Sequence, residues 1–254
     1  MIKSLHVETL HRGELHAERE PHVLFQASTI GALLEAAFDG DVTFAELAEH
    51  GDLGLGTCNA LDGEMIALDG AFFRADVDGA VTELPPAERT PFAVVVWFAP
   101  TAELTVEGPI AHQELVRRID RLAGGTVACA LRIDGTFALV RARSVPRQRR
   151  PYRPLSEVVA DQHVFELGDV AGTIVGFRFP DYSQGLEVAG YHLHFISADR
   201  RRGGHVLECR PRRASVAIDA AADLHVELPP GVELSAPDLS RETARALERV
   251  ERTG

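Results

Sequence analysis

The stretch YHLHFISADRRRGGHVLE, residues 191–208, carries three histidines in two short apolar runs. In the first run, apolar residues alternate with His192 and His194. This alternation predicts a β-strand with both imidazoles on one face, about 6.5 to 7 Å apart between their Cα atoms. A polar segment at 199–204 follows, and His205 then opens the second apolar run. The pattern predicts a β-hairpin with all three histidines close to its turn.

The register of this hairpin decides whether the three histidines meet. If the hairpin is symmetric about the Asp199–Arg200 bond, His205 lies opposite His194, where cross-strand Cβ atoms approach to about 4.5 to 5.5 Å. Three histidine ligands leave zinc an open fourth position for water or substrate, as in catalytic sites. We therefore predict that His192, His194 and His205 bind one catalytic metal ion, with zinc as the expected metal.

Two alternatives stay open at this level. The His-x-His motif can be a chance pair on a solvated strand face, and a register slip of one residue would separate the histidines. A cupin barrel also uses His-x-His, but Gly185 lies one position too far from His192 for that motif. Asp199 also stands where the cupin motif has its glutamate ligand. The cupin pattern is therefore only partly matched.

Composition narrows the class of partner. The chain has 254 residues, 45% hydrophobic content and a formal net charge of -12. It can bury a sizeable core, but it lacks the positive charge that attracts nucleic acid or an anionic membrane. We expect a small-molecule partner.

The three cysteines, Cys58, Cys129 and Cys209, are widely spaced. This spacing favours buried thiols in a reducing compartment over disulfides or a Cys-x-x-Cys site.

The sequence shows no pattern typical of a leader or a membrane anchor. The first residues lack the apolar core of a signal peptide. The longest apolar stretch, at 92–99, is far shorter than the about 20 residues of a membrane-spanning helix. We therefore expect a cytoplasmic protein.

Turn and strand signals predict a β-rich α+β fold. Asp-Gly, a strong two-residue hairpin signal, interrupts runs rich in Val, Ile and Phe at Asp39, Asp62, Asp69, Asp78 and Asp134. Helical patterns are few, at 30–38, 43–50 with a Thr43/Glu46 capping box, 112–123, 156–161 and 240–252. We expect a mixed or antiparallel sheet with a few helices in residues 1–140. A barrel-like β region with the metal site and a terminal helix should follow in residues 141–254, after an arginine-rich connector at 141–153.

The histidine hairpin also carries a family resemblance. Residues 190–208 look like the metal-binding signature of the alpha-acetolactate decarboxylases. Residues 24–70 are similar to that family's N-terminal block, and TPFA at 90–93 matches a recurrent motif. RSVPRQRRPYRPLSEV at 143–158 resembles the family's central arginine segment. The resemblance extends from about residue 24 to the predicted C-terminal helix, in the family's order and spacing.

This resemblance implies a function. The family's members are metal-dependent, usually with zinc, typically dimeric, and convert 2-acetolactate to acetoin and carbon dioxide. The chain is thus expected to be a homodimeric carboxy-lyase with zinc on the three histidines. Four more site residues are implied: Thr57, Glu64, Arg143 and Glu251. The chain departs from the usual pattern at Cys58, where an aromatic is common, at Ala60, a frequent Gly, and at Phe73-Arg74, a frequent Tyr-Gln.

Three of these four residues also have support from the sequence pattern. Alternation in the predicted strand at 64–68 places Glu64 on the same face as Ile66 and Leu68, and burial of a carboxylate there favours the protonated form that a proton donor needs. Glu251 lies four residues after Leu247 and seven after Ala244, along the apolar stripe of the last predicted helix. Arg143 is one of six arginines at 141–153, and a guanidinium suits a carboxylate or an oxyanion. The sequence pattern alone does not single out Arg143.

The expected reaction is decarboxylation without an organic cofactor. Loss of carbon dioxide moves an electron pair into the adjacent ketone, and zinc as a Lewis acid would stabilise the resulting enediolate. Arg143 would stabilise the developing charge, and Glu64 or Glu251 would protonate the enediolate carbon. Two other functions stay open: a cupin-like dioxygenase or isomerase using iron or manganese, and a non-catalytic small-molecule sensor.

Overall fold

The computed structural model describes residues 6–10, 20–124, 128–180, 183 and 186–228. Within these ranges the strands, in chain order, are β1 (His6–Leu10), β2 (Val23–Ala27), β3 (Val42–Thr43), β4 (Leu53–Thr57), β5 (Glu64–Leu68), β6 (Ala71–Ala75), β7 (Val81–Glu83), β8 (Arg89–Thr90), β9 (Phe92–Val96), β10 (Ala102–Glu107), β11 (Cys129–Ser144), β12 (His163–Phe179), β13 (Gly190–Ser197), β14 (Gly203–Ala220) and β15 (Asp223–Glu227). The α-helices are α1 (Ile30–Leu34), α2 (Phe44–Leu47), α3 (His112–Ala123) and α4 (Leu155–Val158), with 3-10 turns at Asn59–Leu61 and Val159–Asp161. The predicted β-rich fold with few helices is confirmed.

Two large sheets contain most of these strands. The larger has eight strands in the order β1-β15-β2-β9-β4-β5-β6-β7, and β15 pairs in parallel with both β1 and β2. The smaller has the order β10-β14-β11-β12-β13, and β13 also pairs with β14. This extra pairing closes β11, β12, β13 and β14 into a ring. The predicted barrel-like region is therefore present, and the histidine hairpin is part of it.

Three apolar clusters show how the sheets pack. The cluster between the sheets joins side chains such as Leu55 and Ile66 of the larger sheet to Val175 and Ile196 of the smaller one. A second cluster, around Phe137 and Phe195, fills the ring and is covered by α3, and a third packs α2 on the outer face of the larger sheet. Each fully buried large apolar side chain contributes roughly 1.5–3 kcal/mol. The central strands are therefore buried on both faces, which suits a rigid site.

Most of the predicted helices are present, but two are shorter than predicted: α1 ends at Leu34, and α2 covers only Phe44–Leu47 of the pattern at 43–50. The predicted helix at 112–123 is α3, and the Thr43/Glu46 capping box is present at α2. The helix predicted at 30–38 is shorter, because the backbone turns left-handed at Ala36 with φ 67°. Thr29 caps this helix, accepting a hydrogen bond from the Ala32 amide at 3.1 Å. The helix predicted at 240–252 lies outside the described residues.

Only some of the Asp-Gly dipeptides form hairpin turns. Asp69-Gly70 joins β5 to β6 with both residues at positive φ, and Asp78-Gly79 lies in the β6–β7 turn. Asp62-Gly63 ends the connection between the antiparallel strands β4 and β5, whereas Asp39-Gly40 lies between α1 and β3. The expectation is wrong at Asp134, which lies inside β11 and pairs with both β12 and β14. Pairing with two neighbouring strands there outweighs the local turn preference.

The division of the chain near residue 140 stays a prediction. β11 runs through this position as one strand, and the predicted connector at 141–153 begins as part of it. β10 joins the smaller sheet, and β15 joins the larger one. Each sheet therefore contains strands from both sides of the proposed boundary.

The described helices are short. The longest, α3, has 12 residues, and none in the described ranges combines the length and apolar character needed to cross a membrane.

The capping box of α2 allows a test of local stability. Thr43 Oγ1 accepts a hydrogen bond from the Glu46 amide, and Glu46 Oε2 accepts one from the Thr43 amide at 2.7 Å. We expect Thr43→Ala to lower the free energy of unfolding by about 1 kcal/mol, because it leaves a helix amide without its acceptor. Urea denaturation would measure this loss. Thr43→Ser keeps the oxygen and should retain most of the stability; equal losses in the two variants would contradict the capping role.

Candidate active site

The histidine hairpin has the predicted register. β13 and β14 are antiparallel, with His194 directly opposite His205. Along β13, Leu193 and Phe195 point into the ring, and His192 and His194 lie on the opposite face, towards the larger sheet. As the alternation in the sequence predicts, the two apolar side chains and the two imidazoles lie on opposite faces of β13.

The three imidazoles converge. One nitrogen of each ring lies within 4.8 Å of the corresponding nitrogens of the other two. The ring centroids are 5.0 to 5.3 Å apart. His192, His194 and His205 are all buried, with 7%, 0% and 2% of their surfaces exposed. The prediction that these residues form one cluster is confirmed, and a solvated chance pair is excluded.

A hydrogen bond to the larger sheet orients His194. Its Nδ1 lies 2.8 Å from the carbonyl oxygen of Met65 on β5. A carbonyl oxygen can only accept, so Nδ1 carries the proton, and in the neutral ring Nε2 keeps its lone pair. Burial, followed by the neighbouring His192, lowers the pKa of His194 well below its usual value. The ring is therefore neutral near pH 7 with Nε2 available as a ligand.

His192 is also held in its neutral form. Burial and, to a smaller extent, the positive charge of Arg143 lower its pKa to about 3. Neutral imidazole is the form that binds metals.

The cluster fits a divalent metal ion. His192 Nδ1 and His194 Nε2 are buried and make no hydrogen bond to any described residue. Such atoms ordinarily cost about 1–3 kcal/mol each, and a metal ion would take up their lone pairs. Three imidazole nitrogens suit zinc, copper, iron or nickel. The donor set therefore supports a metal site, and zinc stays a prediction.

Glu64 and Thr57 lie on neighbouring strands of the larger sheet. They face each other across β4 and β5. Glu64 is 8% exposed, and its Oε2 lies 3.5 Å from His194 Nε2. Thr57 Oγ1 donates a hydrogen bond to the Gly63 carbonyl at 2.8 Å. Gly63 has φ 90°, and a Cβ there would lie 2.4 Å from the Ala75 carbonyl oxygen. Glycine is therefore required in the turn that delivers Glu64 to the histidines.

The fold separates Arg143 from the other arginines of its cluster. A register shift between Arg141 and Ala142 interrupts the β11–β14 ladder, and Arg143 then lies opposite His205. It is 4% exposed, whereas Arg147, Arg149 and Arg150 are on the surface. Its positive charge therefore lies beside the histidines.

One cavity connects these side chains. Its volume is about 50 Å³. One water molecule needs about 10–15 Å³, so the cavity is several times larger than that minimum. Its lining comprises Ile30, Leu33, Gly56, Thr57, Leu61, Glu64, Phe92, Arg143, Val145, Leu155, His192 and His205. Of the predicted site residues, all but His194 and Glu251 line it. His194 belongs to the adjoining cluster, and Glu251 lies outside the described residues.

Sequence reasoning missed two features of the site. The Met65 carbonyl orients His194, but any residue supplies a carbonyl, so no side chain signals it. The apolar lining, half of it from α1 and α4, was also missed. Its only signal was membership of apolar runs, which is shared by every core residue.

Ala60 is one of the positions where the chain departs from the family's usual residue, and its backbone conformation is unfavourable for an L-residue. It lies in the 3-10 turn beside the cavity with φ 60°. This left-handed conformation costs an L-residue roughly 1–2 kcal/mol, and glycine avoids most of the cost. The frequent glycine of the family therefore has a backbone explanation, and this chain keeps the turn with alanine.

Comparison with known proteins identifies the family. The sequence pattern of the family described as Alpha-acetolactate decarboxylase matches residues 24–241. The chain belongs to this family. An alpha-acetolactate decarboxylase of Methylococcus capsulatus is 48% identical over 91% of this chain and 90% of its own length. The one from Klebsiella aerogenes is 42% identical over 84% of this chain and 82% of its own.

A crystal structure of a family member supports the fold. The alpha-acetolactate decarboxylase of Bacillus subtilis strain 168 superposes with a TM-score of 0.86 at 35% identity. The match covers 91% of this chain and 100% of the other. The resemblance read from the sequence is therefore confirmed. These matches do not favour a cupin-like enzyme or a non-catalytic sensor.

The histidine cluster predicts a measurable metal content. We expect the purified protein to bind one divalent ion per chain, and His205→Ala to lose most of it because the cluster drops to two imidazoles. Elemental analysis after dialysis would measure the stoichiometry. His163→Ala removes an exposed histidine outside the cluster and should leave metal content unchanged. Full metal content in His205→Ala would contradict the assignment.

Proposed function

We propose that this protein decarboxylates 2-acetolactate to acetoin and carbon dioxide with the help of a divalent metal ion, zinc in our prediction. The observation that carries the proposal is the buried cluster of His192, His194 and His205, which opens through His192 and His205 on a cavity that also holds a carboxyl group and a guanidinium. Membership of the alpha-acetolactate decarboxylase family supports the same reaction. The cavity is small, about 50 Å³, and is lined by both apolar and charged side chains.

The three imidazoles would hold the metal ion. When bound, it would supply Lewis-acid stabilisation for negative charge on the substrate's oxygen atoms. The chain's own contribution begins with excluding water, because charges interact more strongly in a buried cavity than in solution. The neutral state of His192 and His194 keeps their nitrogens available as ligands.

Arg143 would bind and orient the anionic substrate. In the reaction, the bond between the carboxylate carbon and C2 breaks, and its electron pair forms a double bond between C2 and the ketone carbon. The ketone oxygen gains the negative charge. A buried guanidinium that needs no reorganisation can stabilise such charge as it develops. The 4% exposure of Arg143 supports this role.

A carboxylic acid would complete the reaction by protonating C2. Glu64 is supported by its burial and its position on the cavity. Glu251 remains the other proposed donor, on the basis of the resemblance. Delivery of the proton from one wall of the cavity would produce acetoin of a single hand. Thr57 would shape this wall through its hydrogen bond to the Gly63 carbonyl.

The oligomeric state and location also remain proposals. We propose a homodimer, as the resemblance implies, in the cytoplasm, with a small keto acid as its partner. The free buried cysteines Cys58, Cys129 and Cys209 are compatible with a reducing compartment.

The proposed reaction can be tested directly. We expect the metal-loaded protein to convert racemic 2-acetolactate to acetoin well above the rate of a mixture without protein. Removal of the metal with a chelator should abolish this excess, and adding zinc back should restore it. A colorimetric acetoin assay with parallel metal analysis would measure both. Undiminished turnover by protein shown to be free of metal would contradict the metal's role.

The proton donor can be tested by isosteric substitution. We expect Glu64→Gln or Glu251→Gln to reduce the rate by about 10²–10⁴ if that residue is the acid, because an amide cannot deliver the proton. Chiral chromatography of acetoin would report the hand of the product. Glu103→Gln, on the exposed surface of β10, is the matched control. Full, stereospecific turnover by the double Glu64→Gln, Glu251→Gln variant would reject both residues as donors.

A further inference from the structure

The polar and the apolar side chains that line the cavity come from different elements of the fold. Its polar side chains all come from strands of the two sheets: Thr57, Glu64, Arg143, His192 and His205. Most of its apolar side chains come from short helices and connections: Ile30 and Leu33 of α1, Leu61 of the 3-10 turn, Val145 after β11, and Leu155 of α4. Phe92, on β9, is the exception. We call the side chains of α1 and α4 in this lining, Ile30, Leu33 and Leu155, the apolar wall.

The substrate of the proposed function has the same division. Its carboxylate, hydroxyl and ketone oxygens need the charged and metal-binding side. Its two methyl groups make no hydrogen bonds, so they gain most by contact with apolar side chains. The alkyl groups are therefore expected against the apolar lining, half of which is the apolar wall.

We propose that Leu33 of the apolar wall is a specificity-determining residue that limits the size of the substrate's alkyl groups. This inference rests on the proposed function. Leu33 lines the cavity and is 6% exposed. Its helix contacts α4, which contributes Leu155. Leu33 has no polar group and is not one of the proposed reacting residues, so changing its size alters the space for substrate without removing a reacting group.

The backbone around Leu33 is anchored on both sides. The Ile30 amide donates a hydrogen bond to the Leu186 carbonyl at 3.1 Å, and the Ser28 amide donates to the Glu227 carbonyl at 2.8 Å. Beyond the helix, the Phe38 carbonyl accepts from the Ala60 amide at 2.7 Å. A helix held in this way cannot readily collapse into space left by a shorter side chain. Truncation of Leu33 should therefore enlarge the cavity.

The size limit can be measured with two larger substrates. One replaces the C2 methyl of 2-acetolactate with ethyl, and the other extends the methyl ketone to an ethyl ketone. Each adds one methylene group. In an apolar pocket, a difference of one methylene group changes kcat/KM by about 10-fold or more. We expect Leu33→Ala to raise the kcat/KM ratio of at least one larger substrate over 2-acetolactate by about 10-fold. The substrate that responds identifies the alkyl group lying against Leu33.

The matched control is Leu34→Ala. Leu34 is the next residue of α1 and packs against the same core, but it does not line the cavity. Its truncation removes the same atoms and should leave both ratios at their wild-type values. Circular dichroism and thermal melting would establish that each variant is folded. If Leu33→Ala does not fold, Leu33→Val removes one carbon and should give a smaller shift in the same direction.

The outcomes separate this inference from the proposed function. A folded Leu33 variant that decarboxylates 2-acetolactate but keeps both wild-type ratios would overturn the role of Leu33 and leave the proposed function intact. An equal shift in Leu34→Ala would also overturn it, since the effect would then come from general loosening of α1. A metal-loaded wild-type protein that converts none of the three substrates would overturn the proposed function, and this inference with it.

Discussion

The hydrogen bond between His194 and the Met65 carbonyl joins the two sheets at the centre of the site. It connects a strand of the closed ring to a strand of the larger sheet. By giving the Nδ1 proton a fixed acceptor, it directs the Nε2 lone pair towards the other imidazoles and towards Glu64. A metal ligand depends on such an outer contact for its orientation and tautomer. The geometry of the whole cluster thus depends on the packing of one sheet against the other.

Burial of this cluster has opposing consequences. Imidazole nitrogens between two apolar sheets lose the hydrogen bonds that water would provide, and this loss opposes folding. The same burial keeps the rings neutral, because it penalises the charged form, and so preserves their lone pairs. The extensive apolar contacts between the sheets offset the loss. The protein therefore places a polar site against the large apolar cluster between its two sheets.

Strands and short helices contribute differently to the cavity. The polar lining lies on strands whose neighbours hold them by continuous hydrogen-bonded ladders, so these side chains keep fixed relative positions. The apolar wall comes from short helices fixed by a few backbone hydrogen bonds. Substitutions in these helices can change the shape of the cavity with little effect on the ladders. The proposed reacting groups and the residues proposed to limit substrate size therefore lie in different parts of the fold.

Features that depend on neighbours close in the chain could be predicted from the amino-acid pattern. Alternation in β13 and the length of the polar turn were sufficient to place His194 opposite His205, and the capping box and α3 followed from short-range patterns. Long-range contacts, in contrast, place Asp134 within a strand and end α1 at Leu34, and they explain why Arg143 alone among the six arginines at 141–153 lines the cavity. They also determine which carbonyl orients His194. These outcomes depend on contacts between residues far apart in the chain, whose energies exceed the local preferences that a sequence pattern reports.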